Sequence, residues 1–279
     1  MPALETPPST PRRFRPISST MPDIQFASRS EIGARKRNED YVKHGALEAG
    51  WYAVLSDGAG GHHDGAVAAD LVVRIVVHEL GVGVVEARPT MRLDQVVRIA
   101  NDALNQQQQG LSGRERMHAT LVVLWIDKAR RQAVWSHVGD SRLYLLRKGR
   151  MMRVTRDDSV VQTMVDAGLI DPTQARHHVN RNQLTAAMGA EDPIEPHVSD
   201  AGFEIEEGDA FLLCSDGWYD PIEPAEIETT LSGAFSAQDW LDRMCALVQE
   251  RDCKNQDNYS AVAVWVGNPA EVTRILPVA

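Results

Sequence analysis

The chain has 279 residues, 43% of them hydrophobic, which suffices for one large folded domain or two small ones. The 29 Lys and Arg residues against 39 Asp and Glu residues give a net charge of −10. This charge argues against a nucleic-acid partner, because phosphate backbones bind basic surfaces. The three cysteines lack metal-type spacing, and no apolar stretch is long enough to span a bilayer. We therefore expect a cytoplasmic protein with no membrane partner.

Composition divides the chain into three parts. Residues 1–22 are rich in Pro, Ser and Thr and lack apolar periodicity, so we predict a disordered N-terminal tail. Residues 23–267 carry the apolar patterns of a folded domain, and residues 268–279 are predicted to form a loose C-terminal tail.

Within the folded part, short apolar runs predict strands, and longer runs with helical spacing predict helices. The predicted strands cover residues 24–27, a segment ending at Asp57, and residues 119–126, 134–138, 142–147, 151–154, 210–214 and 261–266. The predicted helices cover residues 64–80, 91–108, 159–168, 224–231 and 237–251. Short loops between residues 119 and 154 predict an antiparallel meander, and the irregular segment 168–197 is a candidate flap over a site. Blocks of strands and helices without strict alternation favour an α+β fold.

Four aspartates lie at the ends of predicted strands. Asp57 and Asp216 each end an apolar run and precede a glycine, Asp140 follows a third run, and Asp257 precedes the last strand. A single Asp-Gly after a strand is usually only a turn former. Recurrence at separate strand ends predicts a carboxylate cluster instead. Such oxygen ligands, without a His/Cys cluster, favour Mg²⁺ or Mn²⁺, and a pair of these ions suits displacement at phosphorus.

The motifs that carry these residues follow one another in an order that resembles an enzyme family. They are Arg-Lys-Arg-Asn-Glu-Asp at 35–40, Asp-Gly-Ala-Gly-Gly-His at 57–62, Gly-Asp-Ser-Arg at 139–142, Ser-Asp-Gly at 215–217 and Asp-Asn at 257–258. Further likeness lies in residues 159–170 and 182–185. Together these segments resemble a bacterial metal-dependent protein phosphatase of the protein phosphatase 2C family, over about residues 24–267.

The resemblance implies an αββα sandwich, in which two antiparallel sheets are flanked by helices and metal ions lie at one end. It implies that Asp57 bridges two Mn²⁺ or Mg²⁺ ions and that the carbonyl of Gly58 binds one of them. Asp216 and Asp257 would bind the other ion.

The remaining site residues also follow from the resemblance. Glu39 would contact the metal shell, and Asp40 would hold its waters. Asp140, together with Asp216, would serve a weaker third ion. Arg35 would clamp the substrate phosphate, and metal-bound hydroxide would hydrolyse phosphoserine or phosphothreonine without a covalent phosphoenzyme.

Three positions depart from the family pattern. Ala59 stands where some members have a histidine proposed as general acid, so a metal-bound water or another group must protonate the leaving alkoxide. His62 is one candidate, although a histidine at the entry to a helix is more often structural. Residues 117–120 read Met-His-Ala-Thr where Met-Gly-Thr-Thr is usual, and Asp158 replaces a frequent histidine and adds a charge near the flap.

These observations lead to one main functional hypothesis and two alternatives. We expect a monomeric phosphatase that acts on phosphorylated proteins and opposes a bacterial Ser/Thr kinase. A pseudophosphatase that binds phosphoproteins without turnover would be favoured by loss of a metal-bridging acid, and none is lost. A phosphatase dedicated to one phosphorylated regulator is the other alternative.

Overall fold

The computed structural model describes residues 21–59, 65–82, 88–251 and 254–267. The predicted C-terminal tail and all but Met21 and Pro22 of the predicted N-terminal tail lie outside these residues. The glycine turn after Ala59, which includes His62, also lies outside them.

Strands in the described part of the chain are short and mostly apolar. They are β1 (Ile24–Glu31), β2 (Asp40–Leu47), β3 (Gly50–Ala59), β4 (His118–Ala119), β5 (Leu121–Asp127), β6 (Gln132–Val138), β7 (Arg142–Arg147), β8 (Arg150–Val154), β9 (His197–Val198), β10 (Phe203–Glu204), β11 (Ala210–Cys214) and β12 (Tyr259–Val266).

Five of the helices in the described residues begin and end within a few residues of the predicted bounds, whereas the short helices 172–175 and 216–219 were not predicted. The helices are α1 (Gly65–Val82), α2 (Pro89–Gln107), α3 (Val160–Asp166), α4 (Pro172–Ala175), α5 (Asp216–Tyr219), α6 (Pro224–Gly233) and α7 (Ala237–Glu250). Local chemistry explains the bounds: Pro89 lies in the first turn of α2, and the Ser236 side chain caps α7 by accepting from the Asp239 amide at 3.1 Å. In the described residues, no helix combines the length and hydrophobicity needed to cross a membrane.

Two antiparallel sheets form the centre of the fold. The first has the order β1-β12-β11-β7-β8, and the second has the order β10-β6-β5-β3-β2, with β4 added beside β3 and β9 beside β6. Alternation along the strands divides the apolar side chains between two faces. Phe211, Leu213 and Val264 face the second sheet, whereas Leu212 and Ala263 face α5, α6 and α7.

The second sheet is divided in the same way. Its inner side chains, such as Leu55 and Leu124, complete the core between the sheets. Its outer side chains, such as Val54 and Trp125, pack with the buried faces of α1 and α2. The layers are therefore helix, sheet, sheet, helix, which confirms the predicted α+β αββα sandwich.

The predicted meander is wrong at its centre. Strands β5 and β6 pair in one sheet, and β7 and β8 pair in the other, so the chain crosses between sheets at residues 139–141. Gly139 permits the crossing because its φ of +96° lies in the left-handed region. Loop length alone cannot distinguish this crossing from a hairpin.

The strand directions bring the predicted acids to one end of the sandwich. Asp40 begins β2 and is the register partner of Asp57 near the end of β3. Asp216 follows β11, and Asp257 precedes its antiparallel neighbour β12. The start of a strand lies beside the end of its antiparallel neighbour, so both sheets present their acids at the same edge.

Candidate functional site

A cleft of about 280 Å³ lies at this edge, between the ends of the two sheets. Seven of the eight residues predicted for the site line it, namely Arg35, Glu39, Asp57, Gly58, Asp140, Asp216 and Asp257. The eighth, Asp40, is buried behind the cleft and accepts a hydrogen bond from the Ser215 hydroxyl at 2.9 Å. The acids therefore converge on one cleft, as the sequence analysis predicted.

Asp57 is held by a polar network that sequence reasoning missed. Its amide donates to Thr120 Oγ1 at 3.0 Å, and the Thr120 amide donates to the Asp57 carbonyl at 2.8 Å. Thr120 Oγ1 also shares a 2.7 Å hydrogen bond with Ser141 Oγ, next to Asp140. This network ties the end of β3 to the crossing between the sheets.

Two glycines permit the close packing around these acids. A Cβ on Gly58 would lie 2.0 Å from the Gly65 carbonyl oxygen at the start of α1. A Cβ on Gly139 would lie 2.9 Å from Thr120 Cγ2. Neither position has room for a side chain, so both positions require glycine.

The carboxylates are buried together, and this raises their pKa values. Burial, followed by repulsion from Asp40 and Asp216, raises the pKa of Asp57 well above its ordinary range. Burial, followed by repulsion from Asp140, does the same for Asp216. Burial raises the pKa of Asp40 to about 6 and that of Asp140 to about 7. Without a cation, the charged carboxylates in the cleft repel one another, and this repulsion favours their protonated forms.

The donor set fits hard divalent cations. The Oδ1 atoms of Asp40 and Asp216 are both buried and have no hydrogen-bond partner among the described residues. Buried charged oxygens without partners are costly unless a cation or a proton satisfies them. Carboxylates and a glycine carbonyl are ligands suited to Mg²⁺ and Mn²⁺.

Asn258 positions the loop that carries Arg35 and Glu39. Its side-chain amide donates to the carbonyls of Ile32 and Arg37, both at 2.8 Å, and its Oδ1 accepts from the Glu39 amide at 2.9 Å. The residue is 6% exposed. The sequence motif contained Asn258, but its pattern gave no indication of this clamp.

Arg35 lies at the mouth of the cleft and pairs with Asp257 Oδ2. Its side chain is more than half exposed, and that of Asp257 is one-third exposed. The guanidinium therefore reaches both the acid cluster and the adjoining groove. Among the described residues that line the cleft, Arg35 carries the positive charge, and its guanidinium offers several donors to a phosphate.

The predicted flap contributes to a neighbouring groove of about 500 Å³. Arg176 and Arg181, from residues 172–181, line this groove together with Arg35 and Asp257. Arg176 Nη2 donates to the carbonyls of Asp220 and Ile222, at 3.0 and 2.9 Å. Three guanidinium groups beside an acidic cleft give the groove a mixed charge suited to a phosphorylated chain.

Asp220 is an acidic residue of the site that sequence reasoning missed. It follows α5, and its amide donates to the Asp216 carbonyl at 2.8 Å. Burial raises the pKa of Asp220, with Arg181 opposing the shift. The spacing of four residues from Asp216 could have indicated it, but α5 is too short to show a periodic pattern.

The departures from the family pattern also have clear places in the structure. Ala59 lines the cleft and is the register partner of His118 across β3 and β4. Asp158 accepts from the Gly139 amide at 2.9 Å and lies 2.7 Å from His197 Nε2. The neighbouring Asp157 pairs with Arg142 through two bonds of 2.8 and 2.7 Å.

A two-sheet sandwich with an acid-lined cleft at one end is the arrangement expected of a metal-dependent phosphatase. The family model described as protein phosphatase 2C matches residues 28–258, and the chain belongs to this family, as the sequence motifs predicted. The family is metal-dependent, and one solved structure, the catalytic domain of serine threonine protein phosphatase PstP, contains two manganese ions. That structure shares 31% identity and a TM-score of 0.75 with this chain and covers 88% of it and 99% of the solved chain.

Other relatives are also named as bacterial phosphatases. The serine/threonine protein phosphatase PstP of Mycobacterium tuberculosis is 37% identical over 209 residues, which are 73% of this chain and 38% of PstP. The chain thus spans well under half the length of that relative. Protein phosphatase PhpP of Streptococcus pneumoniae is 34% identical over 229 residues, 77% of this chain and 87% of PhpP. A crystal structure of Mycobacterium tuberculosis PstP has a TM-score of 0.77 at 32% identity, covering 88% of this chain and 99% of the solved one.

Proposed function

We propose that this chain is a metal-dependent phosphatase that hydrolyses phosphoserine and phosphothreonine in proteins. The observation that carries the proposal is the convergence of Asp57, Asp140, Asp216 and Asp257, far apart in sequence, on one cleft. The buried Oδ1 of Asp216, which has no hydrogen-bond partner in the described part of the chain, supports a cation requirement. The names of the relatives support the substrate class.

The proposed ions are two Mn²⁺ or Mg²⁺, with a weaker third. Asp57 and the Gly58 carbonyl would hold the first, and Asp57, Asp216 and Asp257 would hold the second. Asp140 with Asp216 would hold the third. When bound, such ions offset charge on phosphoryl oxygens and lower the pKa of water.

The chain's own residues would orient the reactants. Arg35 would bind two phosphate oxygens after exchanging its contact with Asp257 for the substrate. Glu39 and Asp40 would accept hydrogen bonds from water in the cleft, since the Glu39 backbone is fixed by Asn258 and Asp40 by Ser215. Thr120 would keep Asp57 in place.

The leaving alkoxide needs a proton donor, and we propose His118 for this role. Residues paired directly across antiparallel strands direct their side chains to the same face. His118 is paired with Ala59, which lines the cleft, and both residues line an adjoining cavity of about 710 Å³. The imidazole therefore lies beside the position where some family members carry a histidine.

We further propose that residues 23–267 form the catalytic domain and that the protein works as a cytoplasmic monomer opposing a Ser/Thr kinase. The family match over residues 28–258 supports the domain bounds. The buried free thiols of Cys214 and Cys245 support a reducing compartment.

The test is hydrolysis of phosphoserine and phosphothreonine peptides by the chelator-treated protein, with and without added Mn²⁺. We expect turnover only with the metal, loss of turnover in Asp57→Ala and Asp216→Ala, and a raised KM in Arg35→Ala. Metal-independent turnover would overturn the mechanism. Tight peptide binding without any turnover would favour the pseudophosphatase instead.

A further inference from the structure

A second group of potential metal ligands lies outside the catalytic cleft. One ligand atom each of His137, Asp158 and His197 lies within 4.8 Å of the other two. His137 is in β6, Asp158 follows β8, and His197 begins β9. None of the three lines the cleft that holds Asp57 and Asp216.

The His137 ring has a free lone pair in a buried position. Its Nε2 lies 2.7 Å from the Arg156 carbonyl oxygen, which can only accept, so Nε2 carries the proton. In the neutral ring, Nδ1 is then an acceptor, and it has no hydrogen-bond partner among the described residues. The residue is only 5% exposed. Metal-binding histidines typically donate their other ring N–H to a carbonyl or carboxylate, which is the arrangement found here.

Strand pairing brings His197 to the same place. His137 and His197 are direct register partners across β6 and β9, and their rings stack with centroids 5.0 Å apart. His197 Nε2 lies 2.7 Å from Asp158 Oδ1. Asp158 is itself oriented because its Oδ2 accepts from the Gly139 amide at 2.9 Å.

Solvent ions can reach this group. His137 and His197 line a cavity of about 400 Å³, and half of the His197 side chain is exposed. Ligand atoms around a tetrahedral ion, at bonds of about 2.0 Å, are roughly 3.3 Å apart. The present separations of up to 4.8 Å therefore need to shorten by at most about 1.5 Å, and the half-exposed His197 ring has room to move toward the other two ligands.

We propose that His137, Asp158 and His197 form a second metal site that takes a borderline divalent cation of the Zn²⁺ class. Two imidazoles and one carboxylate suit Zn²⁺, whereas the oxygen-only cleft suits Mg²⁺ or Mn²⁺. The two centres therefore select different ions. A bound ion would cross-link β6, β9 and the segment after β8, whose Asp158 also accepts a hydrogen bond from the Gly139 amide beside Asp140.

The experiment measures Zn²⁺ binding by the chelator-treated full chain with Mg²⁺ in large excess, so that the catalytic cleft is occupied. Competition with a chromophoric chelator gives the number of bound Zn²⁺ ions and their affinity. We expect one high-affinity site in the natural protein. His197→Ala should weaken that site by about tenfold or more, since loss of even an outer partner of a zinc ligand costs about 10–100-fold.

Matched variants separate this site from other binding. Asp158→Asn should weaken Zn²⁺ binding as His197→Ala does. His78→Ala should not, although His78 is also exposed and also lies beside a carboxylate, that of Glu79. In ¹⁵N spectra of the histidine rings, Zn²⁺ should shift the signals of His137 and His197. Equal Zn²⁺ affinity and stoichiometry in the natural protein and in His197→Ala would overturn the proposal, because the ion would then be bound elsewhere.

Discussion

At the scale of single residues, the site depends on side chains that touch neither metal nor substrate. Asn258 makes three hydrogen bonds that hold the loop carrying Arg35 and Glu39. Asn258→Ala would leave buried polar groups unsatisfied, at a cost of about 1–3 kcal/mol for each. We expect a lower free energy of unfolding and a higher KM, measured by urea unfolding and by phosphopeptide kinetics. The exposed Gln107→Ala, on α2, should change neither, and an unchanged KM in Asn258→Ala would contradict the clamp.

His118 gives a second prediction at this scale, because a proton donor matters only for poor leaving groups. A serine alkoxide needs protonation, whereas p-nitrophenolate is a stable anion. We expect His118→Ala to lower kcat for a phosphoserine peptide by about 10²-fold or more and to leave kcat for p-nitrophenyl phosphate within about threefold.

The reverse exchange provides the control for His118. Adding Ala59→His to the His118→Ala protein places an imidazole on the paired position of the neighbouring strand. Peptide turnover should then recover in part. An equal loss of kcat on both substrates in His118→Ala would show a structural role for His118 and remove the assignment.

At the scale of elements, the side chain of Arg176 attaches the part of the flap around α4 to the residues that follow α5. Arg176, just after α4, bonds to Glu223 at 2.5 Å and to the carbonyls of Asp220 and Ile222. Arg176→Ala removes these contacts, so we expect faster proteolysis within residues 168–197. KM should rise for phosphopeptides, which are long enough to reach the groove, and should stay unchanged for p-nitrophenyl phosphate, which is not. Arg74→Ala, on α1, is the control, and identical cleavage rates in both variants would refute the attachment.

Elements with a clear apolar period could be predicted from sequence, and those fixed by tertiary contacts could not. The buried residues Leu93, Val97 and Leu104 of α2 recur at helical spacing, so its existence and extent were predictable. Helix α5 has four residues, three of them buried, and no period can appear in so short a run. The crossing at Gly139 was predicted as a hairpin because the same short turn serves both arrangements.

The same limit applies to the site. Asp57 and Asp216 were found because Asp-Gly after an apolar run is a local signal. Thr120 supports Asp57 through a hydrogen bond between residues 63 positions apart in the sequence. Asp220 lies near Asp216 because the single turn of α5 brings it there. Local patterns therefore indicated the acids themselves but not the residues that position them.

At the scale of the whole molecule, the acid cluster makes the stability of the metal-free protein depend on pH. In an unfolded chain, the pKa of an Asp side chain is about 3.9. In the folded chain, burial raises the pKa of Asp40 to about 6 and that of Asp140 to about 7, and the pKa values of Asp57 and Asp216 are also raised. Between the pKa of the unfolded chain and those of the folded chain, the folded state binds more protons than the unfolded state. The stabilisation from these groups is therefore complete below about pH 4 and is lost as the pH rises through about 6 to 7.

Asp140→Asn isolates one part of this effect, because asparagine does not titrate. Urea unfolding in the presence of chelator should show that the natural protein loses stability relative to Asp140→Asn between pH 5 and pH 8, by roughly 2–4 kcal/mol. Titrating groups remote from Asp140 are common to both proteins and cancel in the difference. The pKa of Asp216 falls when the Asp140 charge is removed, which enlarges the difference in the same direction. Saturating Mn²⁺ should reverse the sign, since a cation stabilises the charged carboxylates that repel one another without it. The control is Asp102→Asn at an exposed position, whose free energy of unfolding should change with pH as that of the natural protein does. The same pH dependence in Asp140→Asn would mean that Asp140 is not buried among like charges.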